Sequence, residues 1–391
     1  MGKHLVLVGG GHAHMTTLLR AGDFIEEGHR VTLISPSPYQ YYSGMGPGML
    51  SGMFRPQEAR FHIRKMIEDR GGAFVAARVV RVDAPARLLW LSNDQRIPFD
   101  VASFNTGSHV PVAWTGGALE RLVPVKPVLN LYLARLELRN LLNGGTPNLV
   151  VAGGGAAGVE IAGNLWKLVR DAGIEPRITL VAGRELLRGA PPSVRKLARH
   201  SLVRRKVNVI ERARLKALEG GTVILTDGTL RDCDLVFIAV GVTPSQLFIN
   251  SSLPTGHRGE LWVDRTLRSP DYPYLLGGGD CIAVEGMRLA KAGVYAVRQN
   301  PILYHNLMAC LGGKSFRHFS PGSSPMLILN MGDGTGILWK KGFTLAGKMV
   351  LKLKNFIDFR FMCKFQVSGE LEESEVLPGY SSIEREPGAG A

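Results

Sequence analysis

Cysteine is scarce in this chain. Its 391 residues hold four, Cys233, Cys281, Cys310 and Cys363; none precedes position 233 and no two form a Cys-x-x-Cys pair. That excludes a disulfide-stapled scaffold and a zinc ribbon. An uncharged apolar run suited to crossing a bilayer is also missing, because the longest, around 148–159, is interrupted by glycines. A strand-like run begins at Lys3 and leaves no room for a secretory leader, so a cytoplasmic protein is expected. Metal ligands are wanting too: His12 and His14 stand two apart with no third partner, and no metal is expected. Acids are outnumbered, 33 against 47 Lys and Arg. No nucleic-acid-binding motif accompanies this excess, so nucleic acid is not an expected partner.

The charge is unevenly spread. Residues 367–391 carry six Glu and one Arg, or −5, which leaves +19 on residues 1–366 out of a net +14. Such a field favours phosphorylated cofactors or an anionic lipid surface. The acidic segment 367–391, rich in Gly, Ser and Pro, is expected to be a disordered tail. The rest is long and apolar enough for two or three domains with real cores.

Glycine is plentiful, 48 residues, and two groups of it dominate. Lys3-His-Leu-Val-Leu-Val8 runs into Gly9-Gly10-Gly11-His12-Ala13-His14, and Asn148-Leu-Val-Val-Ala152 into Gly153-Gly154-Gly155-Ala156-Ala157-Gly158. An apolar run, a Gly-x-Gly turn and a helix is the arrangement in which backbone N–H groups and a helix N-terminus cradle a pyrophosphate. The surroundings repeat as well. Helices are expected over 13–27 and 158–172, followed by the strands Arg30–Ser35 and Arg177–Ala182. Hairpins follow at 88–99 and 223–230, and then acid-led strands ending in glycine, Asp100–Gly107 and Asp234–Gly241. The fold class is α/β: two Rossmann-like domains with βαβ cores and antiparallel meanders. Residues 1–112 and 265–325 are expected to form the first, and 113–264 the second.

A third glycine element, Leu275-Leu-Gly-Gly-Gly279-Asp280-Cys281, precedes a helix expected over 292–311. An ionised Asp there can accept from sugar or ribityl hydroxyls. Residues 326–366 read as an α+β cap. Within it, Phe343, Met349, Leu353, Phe356 and Phe361 recur at helical spacing among Lys348, Lys352, Lys354, Arg360 and Lys364. An amphipathic helix over 343–365 is therefore expected, packed on the body or lying on an anionic membrane.

These residues resemble the two-dinucleotide-binding-domain flavoproteins of the pyridine nucleotide-disulfide oxidoreductase superfamily, over essentially 1–366. Within them the chain is similar to type II NADH dehydrogenases and sulfide:quinone oxidoreductases. It is closest in pattern to the NADH-dehydrogenase-like flavoprotein found fused to selenide, water dikinase, whose dikinase part is absent here. The resemblance rests on 9–14, Tyr42-Ser-Gly-Met-Gly-Pro47, Thr106-Gly-Ser108, 153–160, Gly279-Asp280, 291–299 and Asn355–Met362.

The resemblance implies FAD at the first loop and a reduced nicotinamide, NADH or NADPH, at the second. It also implies hydride transfer to the flavin and delivery of electrons to a quinone or other acceptor, on the cytoplasmic face of a membrane. FAD contacts are expected from Gly9, Gly10, Gly11, His12, Ala13 and His14, from Ser35 and Pro36, and from Gly44, Met45 and Pro47 walling one flavin edge. Further contacts fall to Val80, to Thr106, Gly107 and Ser108, to Lys126, to Gly279 and Asp280, and to Ala292 and Gly293. Gly153, Gly155, Ala156, Ala157, Gly158, Arg184 and Gly241 are expected at the nicotinamide nucleotide. Glu160, Lys291 and Cys281 are the candidate catalytic residues: Glu160 at the nicotinamide–flavin junction, Lys291 near flavin O2, Cys281 beside the flavin. Cys363 is expected to pack on its helix.

The departures are specific. His14 replaces the third glycine of the first loop, and Ser35 replaces an acid. Ala182-Gly183-Arg184 replaces the acid of NAD-preferring sites, and an Arg there suits a 2′-phosphate. Of a glutamine-rich stretch found in membrane quinone reductases, only Gln299 remains. Oxidation of sulfide or a related chalcogen compound, and a flavin-bearing accessory or sensor protein, are the competing readings; a homodimer is left open.

Overall fold

The computed structural model describes residues 2–111 and 119–375. Two five-stranded parallel sheets form its centre. The first runs Leu275–Gly277, Val101–Phe104, His4–Val8, Arg30–Ser35, Ala73–Ala76. The second runs Leu122–Pro124, Leu235–Ile238, Asn148–Ala152, Arg177–Ala182, Asn208–Glu211. In each, the strand before a glycine loop lies between the strand that follows its helix and the acid-led strand, as the duplication predicts. His4–Val8 is buried throughout. Fully burying a Leu or Val side chain contributes roughly 1.5–3 kcal/mol, so these runs anchor the core.

The leading acids have a matched task. Asp100 Oδ2 accepts from His4 N at 2.6 Å and Asp234 Oδ2 from Asn148 N at 2.8 Å. Each carboxylate thus pairs the first N–H of the central strand and fixes where pairing begins. Each unit also carries a three-stranded antiparallel meander: Val79–Asp83, Leu88–Leu91 and Arg96–Pro98 in one, Leu215–Glu219, Thr222–Leu225 and Leu230–Asp232 in the other.

Four local expectations change. The helix over 13–27 is broken into a 3-10 turn His12–His14 and the helices Met15–Leu19 and Ala21–Glu26. Arg70 Nε donates to the carbonyl of Leu19 at 2.7 Å, satisfying an oxygen that the break at Arg20 frees. The 343–365 helix begins only at Lys348, because Phe343–Gly347 is a strand. Lys341 (φ 45°) and Gly342 (φ 86°) form a two-residue turn that pairs this strand with Gly336–Lys340. Residues 367–375, expected as the start of a disordered tail, pack on the body. Glu370 is buried and accepts from His62 N, while Gln57 and Arg60 hold Glu373; 376–391 lie outside the described residues. The helix Leu247–Asn250 already packs on the first unit, with Phe248 edge-on to Phe104 at 5.2 Å, so the chain returns there before residue 265. Among the described residues no helix is long and apolar enough to cross a membrane.

Candidate functional site

A cavity of about 600 Å³ opens at the carboxyl ends of the first sheet, where open α/β sheets bind ligands. Gly9, Gly10, Gly11 and His12 form one wall, Ser35, Pro36 and Val80 another. Thr106, Gly107, Ser108, Lys126, Gly279, Asp280 and Gly293 complete the lining.

The glycines are there because backbone crowds them. Gly9 has φ +82°, and a Cβ at Gly9 or Gly11 would collide with Asn105. Asn105 is a site residue that sequence reasoning missed. Its Oδ1 accepts from Ala13 N at 2.9 Å and its Nδ2 donates to Gly278 O at 2.6 Å. One buried amide therefore ties the glycine loop to the Gly-Asp turn. The only sequence signal was an Asn directly before Thr106-Gly107. Gln299, expected as a remnant of a quinone-site motif, accepts from Gly279 N at 2.7 Å and holds the same turn.

His14 and Ala13 lie behind the loop, off the cavity wall. His14 Nδ1 meets Gly9 O at 2.6 Å and Nε2 meets Ser103 Oγ at 2.8 Å. A carbonyl only accepts, so Nδ1 carries the proton and the serine hydroxyl donates to Nε2. Burial lowers this imidazole to about 4 and keeps it neutral. The side chain thus bridges loop and strand where a third glycine would have let them touch. His12 is different. Its Nε2 is buried without a partner, and burial, then Lys126, lowers its pKa to about 4. A neutral, unsatisfied ring nitrogen on the cavity wall is a ready contact for a bound group.

Asp280 Oδ2 accepts from Ser108 Oγ at 2.6 Å and from Lys126 Nζ at 2.8 Å. Burial opposes its ionisation, but Lys126 and Ser108 outweigh burial and hold the carboxyl below the usual range. The helix Gly293–Gly312 starts at the cavity, with Ala292 as its cap outside the lining.

Several expected residues are elsewhere. Gly44, Met45 and Pro47 are not on the cavity wall. Residues 46–50 form a buried helix, where a Cβ at Gly46 would press on Val128 and Leu131. Lys291 is engaged by Glu260 at 2.9 Å and the Ile282 carbonyl at 3.1 Å, which removes its ammonium from the cavity. Cys281 is fully buried, its thiol turned to the carbonyls of Phe104 and Gly278 and pushed up by burial. That is an inert packing thiol, not a reactive one. Cys363, expected to pack, is exposed. Lys354, one of the basic residues expected to flank the apolar positions of the last helix, is buried against Asp358.

The second glycine loop keeps an open face. Gly153 has φ +129°, and a Cβ there would collide with Ala239 O. Gly155, Ala156 and Ala157 are exposed at the start of the helix Ala156–Asp171, while Gly158 is packed against Gly153. Gly241 (φ +117°) ends the acid-led strand beside it. Glu160, in the same helix, accepts from Asn330 N at 2.8 Å; burial raises its carboxyl to about 7 despite Lys354 nearby. A second, more open cleft of about 410 Å³ follows the strand Arg177–Ala182 and is lined by Gly183, Arg184, Glu185, Arg188 and Arg212.

The family model described as pyridine nucleotide-disulphide oxidoreductase matches residues 3–307. Ferroptosis suppressor protein 1 of Xenopus laevis is 25% identical over 298 residues, 72% of this chain and 75% of that protein. The demethylphylloquinone reductase NdbB of Synechocystis sp. is 22% identical over 371 residues, 90% of each. Among solved structures, the sulfide:quinone oxidoreductase of Aquifex aeolicus superposes with a TM-score of 0.77 at 16% identity, covering 93% of this chain and 92% of that one.

Proposed function

The chain belongs to the pyridine nucleotide-disulphide oxidoreductase family, and on that premise we propose that it is an FAD-dependent NAD(P)H dehydrogenase that reduces a quinone. The observation that carries this reading is the first cavity. A glycine loop, an unsatisfied His12 Nε2 and an ionised Asp280 line one space of about 600 Å³. Those groups fit FAD. Bound there, FAD supplies a two-electron carrier between a reduced nicotinamide and an acceptor.

Each residue then has a task. The N–H groups of Gly9–Gly11 bind the pyrophosphate. Asp280, kept ionised by Lys126, accepts from the ribityl hydroxyls. The N-terminus of Gly293–Gly312, which opens on the cavity, would supply positive potential to a flavin held there. Gly153–Gly155 and the helix they open take the second pyrophosphate. Glu160, poised near neutrality, holds a proton at its free carboxyl oxygen between the second loop and the cap. The name of the Synechocystis relative supports a quinone as acceptor.

The test is anaerobic mixing of the FAD-loaded protein with NADH or NADPH. Loss of the visible flavin band, restored by a soluble quinone, is the expected result. If neither nucleotide bleaches the flavin, the dehydrogenase reading falls.

A further inference from the structure

The cleft beside the second glycine loop is lined by three arginines and one acid, Glu185, which is paired with Arg195. Its place is set by packing: a Cβ at Gly154 would collide with Ala182, and Leu187 N donates to Gly154 O at 2.6 Å. Segment 183–188 therefore lies against the loop that receives a pyrophosphate. The end of the second strand of such a unit meets the adenosine ribose. Here that end is Ala182, buried and uncharged.

The two acids nearby are already engaged. Glu185 pairs with Arg195. Glu211 accepts from Leu186 N at 2.7 Å and pairs with Arg199 at 2.5 Å. Both acids therefore already face arginines, Glu211 through an ion pair and a backbone N–H together. Against them stand Arg184, Arg188 and Arg212, all exposed and lining the cleft. None has a carboxylate partner among the described residues. Arg212 N donates to Arg184 O at 2.8 Å, which holds two of the three side by side. Arg212 sits at φ +60°, a conformation that a long side chain rarely adopts.

Three guanidiniums lining one cleft make a positive field that a phosphate dianion would meet. A guanidinium offers a planar fork of donors matched to phosphate oxygens. We infer that this cleft is a 2′-phosphate site and that the nucleotide taken at the second loop is NADPH rather than NADH. The inference rests on the dehydrogenase reading for the nucleotide's role, but the phosphate site is testable apart from it.

The probe is adenosine 2′,5′-bisphosphate, with ADP as control, titrated calorimetrically into the full chain. The bisphosphate should bind at least ~10-fold more tightly, the scale of one charge-assisted contact. Its affinity should fall steeply with salt. Arg184→Ala and Arg188→Ala should each lose about 10-fold for the bisphosphate and leave ADP unchanged. Equal affinity for the two probes overturns the inference. So does displacement of the bisphosphate by an equal concentration of inorganic phosphate, which would make this a free-phosphate site. In flavin reduction, NADPH should be preferred over NADH, and Arg184→Ala should narrow the ratio. Equal rates with both donors overturn the inference and leave the dehydrogenase standing. Arginine-dependent bisphosphate binding with no reduction by either donor supports the phosphate site and overturns the dehydrogenase.

Discussion

Lys354 Nζ lies 2.5 Å from Asp358 Oδ2, one turn apart on the buried face of the helix Lys348–Phe365. Tyr42 Oη donates to the other oxygen of Asp358 at 3.2 Å, and Lys354 also donates to Gly44 O at 2.6 Å. The pair therefore fastens the helix Lys348–Phe365 to the segment that follows the strand Arg30–Ser35. Removing one partner of a buried pair strands the other charge. Lys354→Met should cost about 3 kcal/mol in chemical denaturation, and adding Asp358→Leu should recover most of that loss. A single variant as stable as wild type would mean that solvent reaches the pair.

Glu160 gives stability a pH dependence. Its carboxyl stands at about 7 in the fold against an ordinary 4.5, with burial as the main cause. A raised pKa contributes stability that is complete below the unfolded value and is lost as pH rises through the folded one. Wild-type stability should fall between about pH 5 and about pH 8 relative to Glu160→Gln, by on the order of 2 kcal/mol. Denaturant midpoints for both proteins across that window check it. Parallel curves would place an ionised carboxylate there throughout.

The duplication was legible because it is written in local pattern: an apolar run, glycines, a helix period and a leading acid, twice over. His12 and Asp280 could be read for the same reason, since they stand inside those patterns. Asn105 and Gln299 could not, because their work is done across 173 and 20 residues of sequence, on Gly278 and Gly279. Lys354 defeated the helical reading in another way. Periodicity identifies a buried face, but a lysine on that face passes for a solvated one until its partner is seen. Gly44, Met45 and Pro47 are expected from the sequence to wall a flavin edge, yet a glycine at 46 also permits the close approach to Val128 and Leu131 that a buried helix needs here.

Arg60 carries the case for the C-terminal segment. Its side chain is 1% exposed, and its Nη2 donates to Glu373 Oε2 at 2.7 Å and to Ser374 O at 3.2 Å. Glu370 reinforces the strap by accepting from His62 N at 3.0 Å and Ser368 N at 2.9 Å. A chain ending at Gln366 would leave the Arg60 guanidinium without its carboxylate. Truncation there should cost about 3 kcal/mol in chemical denaturation. A neutral effect of that truncation would show that 367–375 contribute no packing.

The outer side of the helix Lys348–Phe365, together with the strand Phe343–Gly347 before it, makes a different claim. Met349 is 71% exposed and Phe356 63%, with Phe343, Leu345 and Phe359 also open and Lys348 and Lys352 between them. Apolar side chains exposed together at this density mark a surface that meets something apolar, and the flanking lysines favour an anionic one. The prediction is therefore of lipid binding, in which the apolar residues would enter the acyl boundary and the lysines would meet headgroups. The full chain should sediment with phosphatidylglycerol vesicles and should be released in part by salt, since the lysine contribution is screened while the apolar one is not. Met349→Glu with Phe356→Glu should abolish sedimentation and leave stability within ~0.5 kcal/mol, because both side chains are on the surface. Vesicle binding unchanged in that double variant would rule this face out as the lipid contact.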